Sequence, residues 1–212
     1  MMKKILCFGD SNTYGHNPLD CSQLKRRWCV FVQEMLNQCE IIQDGRCGRN
    51  TKFDDPNEPD LNGLVTFREK YIENKDQNEF DLIIIMLGTN DLLNDFKCKA
   101  EETAESVSEY IKDYRAKFGE KTEFLVVSPI LVRECVMDNA IFKEKYSLFA
   151  VEESKRFCDC FESMARRENV HFLDAAKYSS ASPLDGIHME EDEHRKLAQA
   201  IAKKIKAILY LE

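Results

Sequence analysis

Four groups of residues in this sequence have the types and spacing to do chemistry together. The first is Ser11, within "ILCFGDSNTYGHNP", Ile5 to Pro18. Four apolar residues run straight into Gly9-Asp10-Ser11-Asn12, so a lone hydroxyl stands at the exit of a buried strand. Short polar turns follow strands routinely, and that plain reading stays open for Ser11 taken alone. A serine hydroxyl is a weak nucleophile until a base takes its proton. A histidine and an orienting carboxylate must therefore reach it. Of the four histidines, His16 shares the Ser11 loop but has no evident orienting acid. His171 opens a strand, and His194 sits in a charged helical turn that reads as solvated. His188 closes "DGIH", three residues after Asp185. On so short a loop the carboxylate can hold one ring nitrogen while the other faces outward, fixing the tautomer and stabilising the imidazolium formed during attack. The same pair also reads as a simple helix cap.

Two further loops supply hydrogen-bond donors. In "MLGTNDLL", Met86 to Leu93, Gly88 permits a tight exit from a strand and Asn90 carries an amide. A preorganised donor facing the oxyanion of acyl transfer is worth roughly two to three orders of magnitude in rate. An Asx-type turn is the alternative for Asn90. In "QDGRCGRNT", Gln43 to Thr51, Gly45 and Gly48 allow backbone conformations that turn N–H groups towards a ligand. A phosphate cradle is the rival reading of this loop, but the chain lacks GxxxxGK[ST], and GxxG alone is weak.

These loops need a scaffold that brings them to one edge. Five short apolar runs read as buried strands: Lys4–Phe8, Glu40–Gln43, Leu82–Leu87, Glu123–Ser128 and Val170–Leu173. The run "DLIIIMLG" is continuous and rich in β-branched residues, as suits a parallel strand covered on both faces. Helical stripes lie between them. They are Leu24, Trp28, Phe31 and Met35; Thr103 through Phe118; a long stripe from Phe142 and Tyr146 through Met164; and Leu197 through Ile208. A weaker helix spans about Leu64 to Lys75. Strand and helix alternate, which predicts an α/β layer fold with a parallel sheet. Ligands of such sheets sit outside the carboxyl ends of the strands, where the Ser11, Gly48 and Asn90 loops emerge. The segment Asn50–Gly63 is a long polar loop behind the second strand, and long loops in compact domains are often functional.

The chain has 212 residues, the size of one α/β domain, and residues 1–212 are read as such. Its formal charge of −8 argues against a nucleic-acid or anionic-membrane surface. No run approaches the length of a membrane span, and Ile5 to Phe8 is too brief for a signal segment. Nine scattered cysteines, an odd number, read as reduced thiols of a cytoplasmic protein.

The order of the blocks resembles the SGNH hydrolases, also called the GDSL family. "FGDSNTYG" is similar to the first block, "GRCGRNT" to the second, "GTND" to the third and "DGIH" to the last. "RNTKFDDPNEPDLNG", "DLIIIMLGTNDL" and "DGIHMEEDEHRKLAQAI" are similar to the bacterial arylesterase/acyltransferase branch. The resemblance implies a flavodoxin-like three-layer α/β/α fold with a five-stranded parallel sheet and no metal or organic cofactor. It implies Ser11 as nucleophile, His188 as base and then acid, and Asp185 as its orienting group. The oxyanion hole would be the Ser11 and Gly48 backbone N–H groups and the Asn90 side chain. The leucine that follows the family's nucleophile is Asn12 here. Asn12, Tyr14, Trp28 and Arg49, with the Asn50–Gly63 loop, are the expected lining of the substrate pocket, although Trp28 also reads as a helix core anchor. The expected activity is hydrolysis of small short-chain acyl or aryl esters through an acyl-enzyme, with transfer to a second alcohol as an accompanying reaction and homo-oligomers within the family's range. Carbohydrate O-acetylesterase, thioesterase and lysophospholipase are alternatives on the same residues. A non-catalytic α/β binding module is the alternative of a different class.

Overall fold

A computed structural model describes residues 2–55, 58–73 and 79–211. Five strands, β1 (Lys3–Gly9), β2 (Cys39–Gly45), β3 (Leu82–Met86), β4 (Glu123–Ser128) and β5 (His171–Asp174), form one sheet in the order β2-β1-β3-β4-β5. Every pairing is parallel. Side chains alternate across a strand, so a strand covered on both faces must be apolar at every position. In β1, Leu6 and Phe8 face one core while Ile5 and Cys7 face the other, and β3 divides Ile83 and Ile85 from Leu82 and Ile84 in the same way. Helices α3 (Gly63–Arg68), α4 (Ala100–Phe118) and α5 (Leu148–Arg167) cover the first face; α2 (Trp28–Met35) and α6 (Glu191–Leu209) cover the second. Burying one such Leu, Ile or Phe contributes about 1.5–3 kcal/mol, and both faces of the sheet are filled with them. The result is the expected three-layer α/β/α architecture.

The helix ends follow local chemistry. Asn62 caps α3 by accepting from the Val65 N–H at 3.1 Å. Acidic residues crowd the first turns of α4 and α6, while Arg115 and Lys117 occupy the last turn of α4 and Lys206 that of α6, complementing each helix dipole.

Two expected helices have different limits. The stripe beginning at Phe142 enters its helix only at Leu148. Asn139 accepts from the N–H groups of Ile141 and Phe142, folding 139–146 into turns, and extended Ser147 breaks the backbone before α5. Turns repeat at three to four residues as helices do, so the spacing of Phe142 and Tyr146 fits either. The weaker helix is α3 followed by a wider π-type turn, Glu69–Glu73; Lys75 lies outside the described residues.

Register sets the site. Gly9, the last residue of β1, pairs with Gly45 of β2 and Met86 of β3. Three strands therefore end level, and the segments leaving them begin side by side.

Candidate active site

The first segment turns at once into a one-turn helix, α1 (Ser11–Tyr14). Asp10 caps it, accepting from the Asn12 N–H at 2.9 Å. Burial pushes the Asp10 carboxyl up to about 6, against the pull of that N–H and of the nearby His188 and Arg49 charges. The turn packs so tightly on the end of β2 that a Cβ on Gly45 would lie 2.1 Å from the Tyr14 nitrogen. Ser11 is thereby held at the sheet edge.

Its hydroxyl lies 2.8 Å from His188 Nε2. The other ring nitrogen, Nδ1, lies 2.7 Å from Asp185 Oδ2. Asp185 Oδ1 accepts from the backbone N–H groups of Ile187 and His188, both at 3.0 Å. One carboxylate oxygen thus shapes the loop and the other orients the ring. Burial alone would raise the Asp185 carboxyl, but the His188 ring and these N–H groups hold it below its ordinary range. All three side chains are buried, with Ser11 7% exposed and lining a cavity.

Gly48 and Asn90 line the same cavity. Gly48 has φ +83°, a left-handed conformation that a side chain would strain. The Asn90 amide donates to the Arg49 carbonyl at 2.9 Å, while the Tyr146 hydroxyl donates to Asn90 Oδ1 at 3.4 Å. An amide has two N–H donors, so one remains for the cavity. Behind it Asp91 accepts from the N–H and hydroxyl of Thr51, whose carbonyl accepts from the Tyr110 hydroxyl. Burial pushes the Asp91 carboxyl up to about 7, the Thr51 donors pull against it and the charge of Asp10 adds to it.

The expected pocket lining divides. The Asn50–Gly63 loop does reach the cavity, through Asn50, Asp55, Glu58 and Leu61; its Pro56 and Asn57 lie outside the described residues. Asn12, Tyr14, Trp28 and Arg49 do not line it. Both polar atoms of Asn12 are taken by the backbone flanking His188. Tyr14 closes α1 with its backbone against Gly45. Trp28 is fully buried in the core between the sheet and helices α2 and α6. Arg49 lies beneath the cavity: its guanidinium donates to the carbonyls of Gly9 and Asp44 and to the Asp44 carboxylate, and its face covers the Phe8 ring at 4.2 Å. It fastens the ends of β1 and β2 to the Gly48 loop.

His194 also departs from expectation, because it is fully buried. Counting back from Ile205, Ile201, Ala198 and Leu197 at three- and four-residue steps puts it on the inner face of α6, where burial lowers its pKa to about 3. His171 is at the exposed sheet edge beside Glu123, 3.2 Å away.

The cavity, about 380 Å³, also takes in residues that sequence reasoning passed over: His16, Cys47, Phe142, Tyr146 and Ile187. The His16 ring lies against that of His188, centroids 4.1 Å apart, and Phe142 approaches His188 at 5.6 Å. Burial, then the charge of His188, lowers His16 to about 4. The available signal for His16 was its place five residues after Ser11, where a one-turn helix brings the chain back: the His16 N–H donates to the Ser11 carbonyl at 2.9 Å.

A hydroxyl, an imidazole and a carboxylate in series, beside a left-handed glycine and an anchored amide, are equipped for attack on a carbonyl carbon and for holding the resulting oxyanion. The family model described as GDSL-like Lipase/Acylhydrolase matches residues 5–201. The fold closely matches a carbohydrate acetylesterase family member from Sinorhizobium meliloti, with TM-score 0.90 and 26% identity over 99% of this chain and 100% of that one. An inhibitor-bound aryl esterase of M. smegmatis matches with TM-score 0.87 and 28% identity over 97% and 99% of the two chains. A search of curated proteins finds no match.

Proposed function

The chain belongs to the GDSL-like lipase/acylhydrolase family and is a serine ester hydrolase, and from that premise we propose that it cleaves small carboxylic esters through an acyl-enzyme on Ser11. The observation that carries this reading is the 2.8 Å approach of His188 Nε2 to the Ser11 hydroxyl, with Asp185 at 2.7 Å behind the ring. As Ser11 Oγ attacks the ester carbonyl, its proton passes to His188 Nε2. The oxyanion is held by the Ser11 and Gly48 N–H groups and the free N–H of Asn90. Collapse of the intermediate releases the alcohol, which takes the proton from His188. Water then attacks the acyl carbonyl, giving a proton to the same nitrogen, and collapse of this second intermediate breaks the acyl–Ser11 bond, releases the acid and returns the proton from His188 to Ser11 Oγ. A second alcohol taking the place of water gives acyl transfer.

A cavity of about 380 Å³ suits a short acyl group with a small alcohol, at the lower end of small-molecule sites. Leu61, Leu93, Phe96 and Phe142 favour an aryl or short aliphatic group, while Asn50, Asp55 and Glu58 offer hydrogen-bond partners to a polyol. Aryl and acetylated-sugar esters are therefore the two substrate classes to test, in keeping with what the two structural neighbours are called. Among the described residues no helix is long and apolar enough to cross a membrane. The protein is proposed to act as one cytoplasmic domain, alone or as a homo-oligomer. The direct experiment treats it with a fluorophosphonate and maps the adduct by mass spectrometry. One adduct on Ser11, with parallel loss of phenyl acetate hydrolysis, is expected. Labelling elsewhere with activity intact refutes the reading.

A further inference from the structure

The Ser11–His188–Asp185 series does not use His16, yet His16 is packed directly against it. The two imidazole rings lie with centroids 4.1 Å apart and planes inclined by 33°. His16 Nδ1 is 3.9 Å from the Cys47 sulfur. His16 Nε2 is buried and finds no hydrogen-bond partner among the described residues. One nitrogen, one further imidazole and a carboxylate are therefore gathered in one wall: donor atoms of His16, His188 and Asp185 all lie within 4.8 Å of one another.

We propose that His16, His188 and Asp185 form a binding site for a borderline-soft divalent cation such as Zn2+, and that its occupancy switches ester hydrolysis off. Two imidazoles and a carboxylate are a zinc-type donor set, whereas Mg2+ and Ca2+ prefer all-oxygen surroundings. Tetrahedral Zn2+ with ligands at about 2.0–2.2 Å needs donors about 3.4 Å apart, so the site forms when the His188 Nδ1–Asp185 Oδ2 pair, 2.7 Å apart, opens to admit the ion and the His16 ring turns out of its stack to bring Nε2 to it. Cys47 completes it from behind. In the tautomer that carries its proton on Nδ1, beside the sulfur at 3.9 Å, His16 keeps its lone pair on Nε2; metal-bound histidines characteristically donate their other N–H to an outer carboxylate, carbonyl or water, and the sulfur takes that place here.

Inhibition follows from the shared ligand. His188 must accept the Ser11 proton at Nε2 while Nδ1 faces Asp185. An ion that takes either ring nitrogen, or claims Asp185, breaks that series. The inhibitory consequence rests on the reading of His188 as base; the binding does not.

The test strips the enzyme with a chelator and titrates it with ZnCl2 in a non-coordinating buffer while phenyl acetate hydrolysis is followed. Half-inhibition in the micromolar range, reversed by EDTA and not reproduced by MgCl2, is expected. His16→Gln should raise the half-inhibiting concentration by about 100-fold and Cys47→Ser, which loosens the His16 ring, by about tenfold. Binding is measured separately on Ser11→Ala protein, by Zn2+ competition with a chromophoric chelator. The site should be present there and lost when His16→Gln is added. Unchanged inhibition and unchanged binding in the His16→Gln proteins, or Mg2+ as potent as Zn2+, overturns the proposal. Because the binding measurement needs no turnover, a failed metal site and a failed esterase mechanism are seen separately.

Discussion

Asn12 grips the loop of His188 from both sides: its Nδ2 donates to the Ile187 carbonyl at 3.0 Å, and its Oδ1 accepts from the Met189 N–H at 3.1 Å. The residue next to Ser11 thus fixes the height and direction of the imidazole that Ser11 meets. Leucine, the residue the family resemblance leads one to expect here, can make neither bond. Asn12→Leu leaves two buried backbone groups unpaired at about 1–3 kcal/mol each. The expected outcome is a lower melting temperature and a fall in kcat of tenfold or more, with KM little moved, because the cavity wall itself is unaltered. Asn12→Asp keeps an acceptor for Met189 and should fall between wild type and Asn12→Leu. Steady-state kinetics and thermal melts of the three proteins check this; equal kcat in all three contradicts it.

Ser11→Ala should abolish turnover while leaving the melting curve near that of wild type. The loss is expected to be roughly 10⁴-fold or more in kcat, since removing a member of such a triad leaves only binding and oxyanion stabilisation. Near-normal hydrolysis of phenyl acetate by the variant would take Ser11 out of the mechanism.

Asn90→Ala should lower kcat by roughly 10²- to 10³-fold with a smaller change in KM if its second N–H serves the developing oxyanion as proposed. Tyr146→Phe removes only the hydroxyl that bonds Asn90 Oδ1 at 3.4 Å, so its effect should be several-fold and confined to kcat. A change in KM alone for either variant would make Asn90 a ground-state contact.

These variants also mark what the sequence made legible. The strands were readable because a doubly covered strand must be apolar at each position, as Leu82–Met86 is. Ser11, Gly48, Asn90 and His188 were readable as one edge because a parallel sheet delivers its loops to one end, and the structure does gather them on one cavity. The pocket wall was not readable. Arg49 and Trp28 are large and close in sequence to the site, but which way a side chain leaves a loop depends on partners far along the chain. For Arg49 these are Asp44 and Phe8; for Trp28 they are the residues of α6. Phe142 and Tyr146 were hidden by a spacing that turns and helices share. Asn12 acts across 175 residues to Ile187, a pairing that no local pattern records.

Asp91 gives the stability of the protein a specific pH dependence. Its carboxyl is fully buried, and burial pushes it from 3.8 up to about 7 despite the two donors of Thr51. Between those values the folded state holds a proton that the unfolded state has released, so this contribution to stability falls as pH rises and is gone above about 7. Asp10, pushed up to about 6, acts in the same direction over a narrower range. Asp185, held below its ordinary value, acts oppositely and only in acid, where its contribution is lost as pH falls. From pH 5 to pH 8, wild type should therefore lose on the order of 2–3 kcal/mol through Asp91. Asp91→Asn is neutral throughout and keeps a carbonyl oxygen for Thr51, so it should lose less over that interval. Urea midpoints of both proteins at pH 5 and pH 8 measure the difference. An identical drop in the two proteins would mean that Asp91 is ionised in the fold at both pH values, and that the Thr51 donors outweigh its burial.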